Sequence, residues 1–208
     1  MNVRRQRLIA GVLAALWLAA GTAAGAAEPA AAAPAATAPA DPFTELLKLL
    51  AARRHGRVRF NEVHEMAMLE RPLRSSGELL YEAPDHLEKR TVEPRPETLV
   101  LEHGVLTAHR GHRTHVIRLR DYPQVVPFVE SIRATLAGDR AALEHYFHVR
   151  FSGDLGHWTL ELAPIDATVA RTVRDIRIAG ERDSIRSVEI RQSDGDRSLL
   201  TIGAEVSP

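Results

Sequence analysis

Cysteine is missing from all 208 residues. That absence excludes disulfides, thiolate metal ligands, thiol nucleophiles and a lipid anchor attached at cysteine. Net charge is missing as well, since 27 Lys and Arg oppose 27 Asp and Glu. No overall field therefore gathers nucleic acid or an anionic membrane. Lysine is scarce: Lys48 and Lys89 are the two, and arginine supplies the other basic residues. Catalytic frames are also lacking. The chain has no Gly-x-Ser-x-Gly elbow, no Ser-x-x-Lys, no His-Glu-x-x-His and no glycine-rich phosphate loop. Ser75, Ser76, Ser152 and Ser187 stand in none of the frames that activate a nucleophile, and Ser75-Ser76 before Gly77 reads as a turn. Glu62, Glu65 and Glu70 alternate with apolar residues and read as a solvated face. Ten histidines are present, with His103, His109, His112 and His115 close together and His145 and His148 forming a pair. On a strand the spacing from His112 to His115 puts the rings on opposite faces, and no carboxylate completes a ligand frame. No metal, cofactor or enzymatic activity is expected.

What is present begins with an export signal. Arg4, Arg5 and Arg7 precede the apolar run Leu8–Ala20, which is short for a membrane span, and Ala24-Gly25-Ala26 supplies an Ala-x-Ala cleavage site. Residues 1–26 thus read as a signal peptide, with an uncleaved anchor as the alternative, and the expected location is the periplasm. Residues 27–40 are almost wholly Ala and Pro, a tract with nothing to bury, and read as a disordered linker. The remainder, 41–208, fits one domain.

Within that domain Asp41-Pro42 is a helix start, and Phe43, Leu46, Leu47 and Leu50 follow at helical spacing. From Arg57 the period becomes two. Val58/Phe60, Met66/Met68, Leu79/Tyr81, Leu99/Leu101 and Arg113–Leu119 all alternate as strands do. After Asp121-Tyr122-Pro123 a second helix carries Val125, Val129, Ile132 and Leu136 on one face, stops at Gly138, and continues briefly from an Asp139 cap through Leu143. Strands then resume at Phe147/Val149/Phe151 and turn at Gly153–Gly156. They return through Trp158/Leu160/Leu162 and Ile176/Ile178, then end in a hairpin about Asp194-Gly195. Helix, strands, helix, strands with short turns predict an α+β fold with one antiparallel sheet, dry on one face. Helices lying in the curve of that sheet leave room for an apolar ligand. The same pattern also describes a domain whose helices plug their own core.

The run Ser76-Gly77-Glu78-Leu79-Leu80-Tyr81-Glu82-Ala83-Pro84-Asp85 closes one strand at a proline. The next, Leu87–Thr91, leads to Pro94, and Pro96-Glu97-Thr98-Leu99-Val100-Leu101 follows with Gly104 and Leu106. With Leu136-Ala137-Gly138-Asp139, Trp158-Thr159-Leu160-Glu161-Leu162-Ala163-Pro164 and the final hairpin, this order resembles the LolA-like family of periplasmic outer-membrane lipoprotein carriers. It resembles a divergent branch of that family. Ala83 stands where carriers have an arginine that latches the lid helices. The strand His86–Thr91 is charged, where theirs is aromatic-rich.

The resemblance implies an open, curved antiparallel β half-barrel with helices covering its concave face. It implies a monomeric, non-enzymatic carrier that holds acyl chains of a lipoprotein or other lipid-like cargo in a hydrophobic cavity. An inner-membrane donor and an outer-membrane acceptor would be its partners. On this reading the cavity is lined by Tyr81, Leu87, Leu99, Leu101, Val129, Ile132, Leu136, Trp158, Leu160 and Leu162. The alternative is a non-enzymatic periplasmic protein with a filled core that docks on a membrane exporter or acyltransferase.

Overall fold

The computed structural model describes residues 41–205, so the expected signal peptide and linker lie outside the described residues. Helix α1 spans Pro42–Ala52, and six strands follow as a meander: β1 (His55–Glu65), β2 (Leu73–Glu82), β3 (His86–Glu93), β4 (Glu97–Glu102), β5 (Val105–Arg110) and β6 (Arg113–Arg118). A 3-10 turn at Leu119–Asp121 leads into α2 (Val126–Ala137) and α3 (Arg140–Tyr146). The second meander is β7 (Phe147–Gly153), β8 (Trp158–Pro164), the short α4 (Ala167–Ala170), β9 (Val173–Glu181), β10 (Ser184–Gln192) and β11 (Arg197–Glu205).

All eleven strands form one open antiparallel sheet in the order β6-β5-β4-β3-β2-β1-β11-β10-β9-β8-β7. The two meanders join where β1 pairs with β11. This topology explains the helices. The chain leaves the sheet at one edge, β6, and re-enters at the other, β7. The connection between edges has to cross a face, and α2 and α3 are that crossing.

Local chemistry sets the helix ends. Asp41 caps α1, its Oδ1 accepting from the Phe43 N–H at 3.2 Å, with Pro42 at the first helical position. The Arg140 side chain, 2.6 Å from Asp41 Oδ2, holds that carboxyl below the usual carboxylate range. Asp139 caps α3 through the Ala142 N–H at 3.0 Å, as its position predicts. Between them Gly138 ends α2 in the left-handed region, at φ 66°. A Cβ there would lie 2.3 Å from the Leu47 carbonyl oxygen, so only glycine lets α2 end against α1.

Three expectations are corrected. Met66 and Met68 are not strand residues: β1 stops at Glu65 and the chain turns. Ser75 and Ser76 lie inside β2, with Ser76 paired to Asn61 and Ser75 to Glu62, so they make no turn. Gly77, which that turn would have put at the start of a strand, sits in the middle of β2, at a register shift against β3. A Cβ there would lie 1.9 Å from the Arg90 carbonyl oxygen, which is why the irregularity falls at glycine.

Candidate functional site

Register fixes which side chains share the helix-covered inner face. Across one wing Tyr81 pairs with Leu87, Leu87 with Leu101, Leu101 with Leu106 and Leu106 with Ile117. Directly paired residues project to the same side, so five strands contribute one continuous apolar row. Leu119, Val125, Val126 and Val129 close over it, and with Leu87, Leu99 and Tyr122 they form an apolar cluster. The other wing is built the same way. Leu160 pairs with Ile178 and Leu162 with Ile176. Phe43, Leu46, Leu47 and Leu50 of α1 join them, with Leu143, Phe147 and Trp158, in the larger cluster. Trp158 lies over Gly180, its paired residue, where a Cβ would come within 2.3 Å of the indole. The indole N–H donates to the Arg182 carbonyl at 2.9 Å.

The ten residues expected to line a cavity therefore divide. Leu87, Leu99, Leu101 and Val129 meet in the smaller cluster. Trp158, Leu160 and Leu162 lie in the larger one, with Ile132 and Leu136 packed against it. Tyr81, buried at the end of the apolar row, has its phenol pKa pushed up chiefly by burial. The two wings differ in closure. Leu160 and Leu162 are 0% exposed, whereas Leu87, Leu99, Ile117 and Val129 are only half-buried.

Helix α2 spans both clusters with its stripe Val129, Ile132 and Leu136 half-buried. Its deepest side is a different one: Pro127, Ser131, Ala134 and Thr135. This small-residue stripe continues to Gly138, which abuts α1. Its hydroxyls are satisfied within the helix, Ser131 Oγ donating to the Phe128 carbonyl at 2.7 Å and Thr135 Oγ1 to the Ser131 carbonyl at 2.6 Å. Hydrophobic periodicity could not find this stripe, because its members are small or polar. Helix α1 is tied at both ends: Arg140 bonds Asp41 and Thr44, while Arg53 bonds Ser184 at 2.8 Å and Glu205 at 2.7 Å. The Arg133 of α2 instead pairs with Glu130 and Asp139, on its own helix and just beyond its end.

Between the wings the inner face turns polar. Glu62 pairs with Leu200, Leu200 with Val188, and Val188 with Ile178 of the larger cluster. Its carboxylate accepts from Lys89 Nζ at 2.6 Å, Ser75 Oγ at 3.0 Å and Ser198 Oγ at 3.1 Å. Burial opposes the charge, but these partners outweigh it and hold the carboxyl below its ordinary range. Glu62 is thus no part of a solvated face. Strand parity was the available signal, since Glu62 shares its side with Phe60 and Lys89 shares its side with Leu87.

The outer face carries only a shallow depression between Arg57, Glu78, Leu80, Glu88 and Arg90. Among the described residues no helix is long and apolar enough to cross a membrane, and no group of three or more His, Asp and Glu could hold a metal ion.

Comparison with known proteins places the chain. No curated protein matches it. Among solved structures it is similar to a LolA superfamily protein of Nitrosomonas europaea, at 14% identity and TM-score 0.42, covering 81% of this chain and 94% of that one. It is similar to the MucA/MucB complex of Pseudomonas aeruginosa at 14% identity and TM-score 0.42, covering 79% of this chain and 58% of that one. LprF from Mycobacterium bovis is similar at 10% identity and TM-score 0.34, with 80% and 93% covered. The family described as outer membrane lipoprotein carrier protein LolA-like matches residues 31–207. The open eleven-stranded sheet and this match over most of the sequence lead to one conclusion: the chain belongs to the LolA-like family.

Proposed function

We propose that this protein is a periplasmic carrier that binds acyl chains of a lipoprotein or other lipid-like cargo and passes them toward the outer membrane. The observation that carries this reading is the apolar row Tyr81–Leu87–Leu101–Leu106–Ile117, lying under a helix whose own apolar stripe is half-buried. Apolar contacts join Val125, Val126 and Val129 to the row, so lifting α2 exposes a ready-made greasy trough. Each methylene that enters it contributes about 0.8 kcal/mol. A long chain then binds without specific polar contacts, and transfer follows from a higher affinity at the acceptor, with no catalytic step. The smaller wing is the favoured place for cargo, since displacing half-buried leucines costs less than opening the sealed wing around Leu160 and Leu162. Membership of the LolA-like family supports the reading.

The sealed wing favours a second reading, in which the core is filled and the protein docks on a membrane exporter or acyltransferase. Native mass spectrometry of protein taken from the periplasm, followed by organic extraction, separates the two. A co-purifying acyl species establishes the carrier. A clean mass that stays clean after fatty acids or lipopeptides are added establishes the docking protein.

A further inference from the structure

Lys89 leaves β3 directly between Leu79 and Leu99, its paired neighbours on either side, and Leu99 belongs to the smaller apolar cluster. Its Nζ stands 5.0 Å from the centre of the Phe60 ring and ends 2.6 Å from Glu62 Oε2. The ammonium therefore sits where the apolar trough gives way to polar side chains. The pair is covered but not sealed, with the Lys89 and Glu62 side chains 19% and 17% exposed. Stability alone does not explain such a pair, because desolvation cancels much of the attraction between charges taken out of water. An apolar pair of similar volume would serve the core as well.

The partners are also unequal. Among the described residues Lys89 hydrogen-bonds to Glu62 alone, whereas Glu62 holds the Ser75 and Ser198 hydroxyls besides. If Lys89 turned away, Glu62 would keep two donors. Glu97, on the same face of the neighbouring strand, is held by Arg110 at 2.8 Å and does not compete for the ammonium. Lysine suits such an exchange: its compact charge on a flexible stem changes partner without breaking a planar fork.

The geometry points to Lys89 as the binding site for the anionic head, carboxylate or phosphate, of a single-chain amphiphile whose tail lies on Leu99 and Leu101. Binding exchanges one ion pair for another, Lys89 moving from Glu62 to the ligand, and no covalent bond changes. This assignment rests on the carrier reading.

The test measures displacement of Nile red, an uncharged probe, by dodecanoate, dodecyl phosphate and dodecanol, which share one tail. The native protein is expected to bind the better anion about tenfold more tightly than dodecanol, a difference of about 1.4 kcal/mol in favour of the exchanged ion pair. The more tightly bound anion identifies the head. Lys89→Met should erase that preference, bringing the anions down to the affinity of dodecanol. Glu62→Gln, which frees Lys89 from its resident carboxylate, should tighten anion binding several-fold, and it decides the matter if Lys89→Met does not fold. Equal affinities for anions and dodecanol in the native protein would overturn the assignment, as would a Glu62→Gln protein with unchanged preference. If the native protein binds neither Nile red nor any of the three amphiphiles, the carrier reading itself falls.

Discussion

Replacing Leu160 and Leu101 separately by alanine distinguishes a sealed core from a cargo trough. Leu160 is 0% exposed and lies in the larger cluster with Leu162, Ile176 and Ile178. Truncation removes about three carbons, roughly 2.4 kcal/mol at 0.8 per methylene, and leaves a cavity that its buried neighbours cannot fill, for a total of about 3–4 kcal/mol. Leu101 is 7% exposed, and Leu87, Leu99 and Ile117 around it are half-buried, so they can settle into the space. Its cost should stay near the transfer value, about 2 kcal/mol. Binding should show the opposite order. Leu101→Ala removes contact surface from the trough and should weaken fatty-acid binding about tenfold, while Leu160→Ala should leave it within a factor of two or so. Stability is read from urea unfolding by Trp158 fluorescence, since Trp158 lies in the larger cluster. In a chain starting at residue 27 it is the sole tryptophan, the other being Trp17. Affinity is read by displacement of an apolar probe from the same samples. A folded Leu101→Ala protein with unchanged affinity would refute the placement of the trough.

Gly180→Ala should cost about 2–3 kcal/mol, because its Cβ would stand 2.3 Å from Trp158 Cζ2 and 2.4 Å from the Ser184 carbonyl oxygen, with little freedom to yield; a wild-type urea midpoint would contradict the packing of Trp158 over Gly180. The Glu62 carboxyl is held below its ordinary range when folded, so its contribution to stability is present above the unfolded-state pKa and is lost as pH falls through the folded one. Native protein should therefore lose its stability advantage over Glu62→Gln as pH drops below about 4.3, and a difference that stays constant down to about pH 3 would refute the ion pair.

How much was legible in the sequence follows from how local each signal is. The Asp41 cap, the stop at Gly138 and the restart at Asp139 depend on neighbours a few residues away, and each was readable. So were the alternating strands, Met66 and Met68 excepted, and the Asp194-Gly195 turn, since side-chain parity and a turn's dihedral needs are properties of a short segment. The family resemblance, drawn from the order of those segments, led to the open sheet and the covering helices. Tertiary structure alone divided the ten expected cavity residues between two wings, because that depends on which strands become neighbours. It buried Ser131 and Thr135, whose hydroxyls turn back onto carbonyls of their own helix and which no hydrophobic period marks. It also partly covered Glu62, bringing it Lys89 and a serine 136 positions away. Alternation says that a residue faces one side of a sheet; only the paired strands decide whether that side is wet, and what stands there to meet the charge.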